Sequence, residues 1–146
     1  MAHIRQQIRD AAETALAGGT VPASRIYKQR VHPVKDGELP MWRIFTPSES
    51  ASPQEMGSPR EVQRLVRLVL EVHTSGPNAE NTADDLAAEA EAALAADLTL
   101  GGVAQDLRLS TTDIEVSGEG RKALALASLV FEVEALTTDQ DPQTAL

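Results

Sequence analysis

Residues 121–136 read RKALALASLVFEVEAL, and their alternation decides the fold. Ala125, Ala127, Leu129, Phe131 and Val133 fall on one side, with Leu126, Ser128, Val130, Glu132 and Glu134 on the other. This is the two-residue period of a strand. Upstream, Val103, Leu107 and Leu109 alternate with Ala104, Asp106 and Arg108, which predicts another strand. Ile114 and Val116 resume the alternation in the opposite phase, so a bulge or bend is expected at Ser110-Thr111-Thr112. Ser117-Gly118-Glu119-Gly120 reads as the turn joining the two runs into a β-hairpin.

Residues 61–74 form the clearest strand. Val62, Val66, Leu68, Leu70 and Val72 share one face. Gln63, Arg67, Glu71 and His73 share the other with Leu65 and Val69. Ser75-Gly76-Pro77-Asn78 ends it. Two helices complete the pattern. Over 3–17, Ile4, Ile8, Ala11, Ala12 and Ala15 make one apolar stripe, and Gly18-Gly19, residues that tolerate a left-handed conformation, are expected to stop the helix. Over 79–97 the stripe is Ala83, Leu86, Ala87, Ala90 and Leu94, closed by Gly101-Gly102. Its N-terminus has two readings, Asn78 as the cap or a Thr82/Asp85 capping box.

Ser24–Tyr27 is a short β-like stretch between Pro22 and Pro33. Another strand starts after Pro40 through Met41-Trp42-Arg43-Ile44-Phe45. Residues 46–60 hold three prolines and four serines without an apolar period, and are expected to be a long mobile loop. The polar end, 138–146, is expected to fray. A single α+β domain over 1–146 follows: two layers, a mostly antiparallel sheet with two helices on one face. The opposite face mixes Leu65, Val69, Leu124, Leu126 and Val130 with charge. It reads either as a subunit interface or as ordinary scattered aliphatics.

Composition narrows the function. Of 146 residues, 42% are hydrophobic but only 3% aromatic, so the core is aliphatic with Ala at close contacts. Thirteen Lys and Arg stand against 22 Asp and Glu, a net charge of −9, which argues against a nucleic-acid-binding role. Residues 1–76 carry 10 basic and 8 acidic side chains, net +2; residues 77–146 carry 3 and 14, net −11. This is either a solvated acidic second half or a subunit with two electrostatic poles that packs head-to-tail.

With no Cys, disulfides, thiolate metal sites and Cys nucleophiles are excluded. Met1–Gln7 is polar and amphipathic, unlike a signal peptide, and no apolar run approaches the length of a membrane-spanning helix. His3, His32 and His73 lie on separate segments without metal-ligand spacing; His3 is expected at a free terminus and His73 as a structural residue. The glycine pairs do not make phosphate loops, and no Ser has a nucleophile-elbow context. Asp84, Asp85, Glu89 and Glu91 spread around a solvated helix face. No catalytic kit is recognisable, and neither a cofactor nor a metal is expected. Trp42 reads as core, or as an anchor for a partner beside the loop.

In this order, the helix Ile4–Leu16, Arg25-Ile26-Tyr27, the strand Leu39–Thr46, the strand Leu65–Val72, the helix from Asp84 to Leu94, "ADLTLGG" at 96–102 and the hairpin Leu107–Val116 with Ala125–Leu136 resemble the minor tail protein U, or tail-terminator, family of long-tailed phages and prophages. The likeness spans residues 3–137, its most distinctive piece being the helix, Leu-Gly-Gly and hairpin ending. It implies a structural virion protein, assembled in the bacterial cytoplasm. Such proteins form a hexameric ring on the head-proximal end of the tail tube. The ring ends tube growth and offers the surface on which the head connector docks. The implied partners are further copies of the chain, the major tail tube protein and a head connector or neck protein. DNA only passes through the lumen, and no membrane is involved.

No family motif pins individual contacts. The candidates read from the residues are Glu49, Gln54 and Glu55 in the loop, and Arg64 and Arg67 on the strand. Competing readings are a head-completion or connector-stopper neck protein, an unrelated α+β module gripping a small ligand or peptide, and an enzyme if a deep pocket gathered His73 with an Asp or Glu.

Overall fold

The computed structural model describes residues 2–28, 39–118 and 123–146. His32 and Pro33, and the second half of the expected Ser117–Gly120 turn, lie outside them. The chain runs α1 (Ile4–Ala17), a 3-10 turn (Ala23–Arg25), β1 (Ile26–Tyr27), β2 (Met41–Pro53), β3 (Glu61–Ser75), α2 (Ala79–Ala95), β4 (Asp106–Ser117) and β5 (Leu124–Thr138). The five strands form one sheet in the order β1-β2-β3-β5-β4, antiparallel except for β1 with β2. This is a two-layer α+β fold: α1 packs over β1, β2 and β3, and α2 over β3, β5 and β4.

The alternating residues do what their period requires. Val66, Leu68, Leu70 and Val72 of β3 and Ala125, Ala127, Leu129, Phe131, Val133 and Ala135 of β5 are buried beneath the helices. Ile4, Ile8, Ala12 and Leu16 of α1 and Ala83, Leu86, Ala87, Ala90 and Leu94 of α2 close over them. Small Ala side chains let the helix backbones approach the sheet closely. Trp42 and Ile44 join this core, whereas Phe45 lies half-buried on the other face.

Several expectations are corrected. Residues 46–53 are strand, not loop: β2 runs on to Pro53 in register with β3, Ser48 opposite Arg67 and Pro53 opposite Val62. Only 54–60 connect the two strands. The register shifts between Phe45 and Ser48, so Thr46-Pro47 inserts one residue and reverses which side chains face the helices. The bulge expected near Ser110 lies between Leu109 and Thr111.

Residues 138–146 are tied down, not frayed. The Ile4 N–H donates to the Pro142 carbonyl, and the Leu146 N–H to the Leu136 carbonyl, both at 2.9 Å. As expected, α1 stops at Gly18, which caps it in a right-handed conformation. The α2 helix ends at Ala95, ahead of Gly101-Gly102, which take positive φ values of 72° and 95° in the following turn. Asn78 is the N-cap of α2, without a side-chain hydrogen bond. Strand β4 begins at Asp106, so Val103 and Ala104 belong to the turn before it.

Candidate interaction surface

Glu49 and Arg64, read from the sequence as outward contacts, bond to each other. The bulge at Thr46-Pro47 turns Glu49 toward the helices, and Arg64 occupies the same phase of β3 as Val62 and Val66. The Arg64 Nη1 donates to both Glu49 carboxylate oxygens at 3.2 Å, and its Nε to the Thr137 hydroxyl at 3.0 Å. Arg5 of α1 adds a second ion pair to Glu49. The Glu49 and Arg64 side chains are only 14% and 13% exposed, so this cluster stitches α1 to the arm of the sheet and offers little to a partner. Arg9 extends it, donating to the Thr46 hydroxyl.

His3 is no free terminus. It is the N-cap of α1, its Nδ1 accepting from the Arg5 N–H at 3.1 Å. Burial first, and then the charges of Arg5, Arg64 and Arg9, push its pKa down, which favours the neutral ring that accepts this bond. Glu89, read as one of a solvated carboxylate group, accepts from the Thr20 hydroxyl at 2.8 Å and from the Thr20 N–H, tying α2 to the turn after α1.

Gln54 and Glu55 lie at the exposed β2–β3 connection and close it. The Gln54 N–H donates to the Glu61 carbonyl at 2.8 Å, and Glu55 accepts from the Glu61 N–H at 3.3 Å. The side chain of Arg67 is exposed on the face away from the helices and makes no ion pair with any described residue. The five candidates therefore divide among an internal cluster, a hairpin tip and an open face.

That open face carries its own polar group. Arg43 donates to Glu71 at 2.7 Å, across the register from β2 to β3. His73 Nε2 stands 3.8 Å from the same Glu71 oxygen, an ion-pair rather than a hydrogen-bond distance. His73 first, and then Arg43, hold the Glu71 carboxyl below its ordinary value of 4.5 against the opposing effect of burial. A carboxylate depressed on folding stabilises the fold above its unfolded pKa and loses that contribution as pH falls through the folded value. Chemical denaturation of the native chain is therefore expected to show stability declining as pH drops below about 4.5. Glu71→Gln is expected to lower stability at neutral pH and flatten that decline; an unchanged pH profile would refute the assignment.

Beside His73, an open groove of about 580 Å³ is lined by Leu39, Leu124 and Leu126, with Glu115 on its β4 wall. Among the described residues, no three His, Asp or Glu side chains converge as a metal site, and no helix is long and apolar enough to cross a membrane.

Strand β4 is the last strand of the sheet, so its outer backbone groups have no strand partner among the described residues. On its helix side Leu109, Ile114 and Val116 are 39%, 43% and 51% exposed. At the other edge, β1 pairs with Trp42 and Arg43 of β2, and among the described residues no strand pairs with the outer side of Ser48–Pro53. Unpaired edges are pairing templates. Pro47 and Pro53, which donate no backbone hydrogen bond, bracket the polar stretch Ser48–Ser52 on one of them.

No family model matches the chain. No curated protein matches it. Among solved structures, a chain of the "virion of native gene transfer agent (GTA) particle" is 18% identical, with 92% of each chain covered and a TM-score of 0.41. The fold assignment rests on strand order and helix placement alone.

Proposed function

We propose that this chain is a non-enzymatic structural protein of a phage-like virion that assembles as a ring on the head-proximal end of a tail tube. There it ends tube growth and presents the surface on which the head connector docks. One observation carries the reading: among the described residues, the single sheet ends in two edge regions of unlike composition, β4 at one end and β1 with β2 at the other. A subunit with unlike edges makes heterologous contacts, which close into rings when the rotation permits.

The sheet order supports this by turning the charge split of the chain into a spatial one. The half with net +2 supplies α1, β1, β2 and β3, and the half with net −11 supplies α2, β5 and β4. The basic-leaning part thus lies toward the β2 edge and the acidic part toward the β4 edge, an arrangement that favours head-to-tail over head-to-head contact. The resemblance to tail terminators supplies the place of the ring in the virion.

Particles produced without this protein are expected to carry overlong tails or tails that fail to join heads, scored by electron microscopy. Tails of ordinary length that still join heads would refute the capping role.

A second reading, a small-ligand module, draws on the groove beside His73. It is open and largely apolar, with Glu115 and His73 on separate strands. Leu109, Ile114 and Val116 stand exposed along the edge strand β4, and we favour assembly.

A further inference from the structure

We propose that β4 is an acceptor edge: from Thr111 to Ser117 it takes an extended segment of a different protein chain as a sixth strand, one that alternates basic with β-branched aliphatic residues. The inference goes beyond the ring reading, which gives β4 its place at the end of the sheet but no occupant.

The edge is open and composed to pair. Every residue from Arg108 to Ser117 is exposed, on both faces of the sheet. Among the described residues, the β4 backbone hydrogen-bonds only to β5. The register shift between Leu109 and Thr111 bounds the regular ladder at one end. Beyond it, Thr111-Thr112-Asp113-Ile114-Glu115-Val116-Ser117 contains neither Pro nor Lys, residues that commonly blunt an edge. Its Thr, Ile and Val residues, branched at Cβ, favour the extended backbone that a further strand needs.

The side chains specify the occupant. Register with β5 sets Ile114 opposite Ala127 and Val116 opposite Ala125, on the helix face. It sets Asp113 opposite Ser128 and Glu115 opposite Leu126, on the open face. Asp113 and Glu115 make no ion pair with any described residue. Arg108, the one basic residue of β4, is already held by Glu132 at 2.6 Å. An added strand shares both faces with β4 at the same period of two, whichever way it runs. Basic residues at its open-face positions meet Asp113 and Glu115, and aliphatic residues between them cover Ile114 and Val116. The same charges disfavour a second copy of β4 as the occupant. Antiparallel pairing about Ile114 sets Asp113 of each copy against Glu115 of the other, and like charges facing across strands destabilise the pair.

Three short blocked peptides test this on the full-length chain: one alternating Lys with Val, one alternating Glu with Val, and one alternating Lys with Gly. Binding is titrated at low salt and located by amide hydrogen exchange, read residue by residue by NMR. The Lys–Val peptide is expected to bind saturably and to slow exchange between Thr111 and Ser117. The other two are expected to do neither at the same concentration. Asp113→Asn combined with Glu115→Gln, both at exposed positions, is expected to leave the thermal midpoint unchanged and to weaken the Lys–Val peptide about five- to tenfold. Equal binding of the Lys–Val and Lys–Gly peptides would reduce the effect to net charge and overturn the proposal. So would no binding, protection outside β4, or an unchanged affinity in the double variant. Exchange at β4 that slows as the chain alone is concentrated would make a second copy the occupant and overturn it as well. Tail length in particles lacking the protein is scored separately, so a failed acceptor edge and a failed capping role give different results.

Discussion

Leu70→Ala is expected to destabilise the chain by about 3–5 kcal/mol, from the lost burial and the cavity left behind. Leu70 lies on β3, the central strand, over which both helices pack. It is fully buried, and its register partners Ile44 on β2 and Leu129 on β5 are fully buried as well. A void there is walled by two strands and two helices, so little can collapse into it. For a chain of this size the loss corresponds to a fall in the thermal midpoint of roughly 6–20 °C. Leu124→Ala, at an exposed position on the open face, is the control and is expected to cost less than about 1 kcal/mol. Equal losses from the two variants in thermal or urea unfolding would mean that the core is not where the helices place it.

The second large effect is expected at Glu49. Glu49→Ala leaves Arg5 and Arg64 facing one another without the carboxylate that holds both. An exposed pair contributes at most about 1 kcal/mol, whereas removing one partner of a buried pair costs about 3–5. The low exposure of Glu49 and Arg64 places the expected loss at about 2–4 kcal/mol. Pairing Glu49→Leu with Arg64→Met removes the Glu49–Arg64 pair together with the stranded Arg64 charge, and is expected to recover much of it. A double variant no more stable than Glu49→Ala would show that the side chains act independently.

The internal role of Glu49 also shows what was legible in the sequence. Strands β3 and β5 and both helices were readable because each buries one face, and burial leaves a period in the side chains. Residues 46–53 left none. They are strand through backbone pairing with β3, while most of their side chains stay in solvent on both faces, so no alternation marks them. The C-terminal segment was misread for a related reason: backbone hydrogen bonds to Ile4 and Leu136 hold it, and backbone groups carry no residue signature.

The ion cluster did have a signal. Arg64 interrupts the apolar phase Val62, Val66, Leu68, and a charge on the core side of a strand requires a partner. Its partner could not be named, because the one-residue bulge at Thr46-Pro47 sets which way Glu49 points. The capping role of His3 had no such signal, since His is outside the residue types that usually cap. The charge split was plain in the sequence, but that its halves sit at opposite sheet edges follows only from the strand order.

The capping role is tested most directly by locating the chain on purified particles. Electron microscopy of tails carrying a tagged copy is predicted to show the label as a single ring at the head-proximal end of each tube. Label distributed along the tube, retained on tailless heads, or missing from the particles would contradict the account.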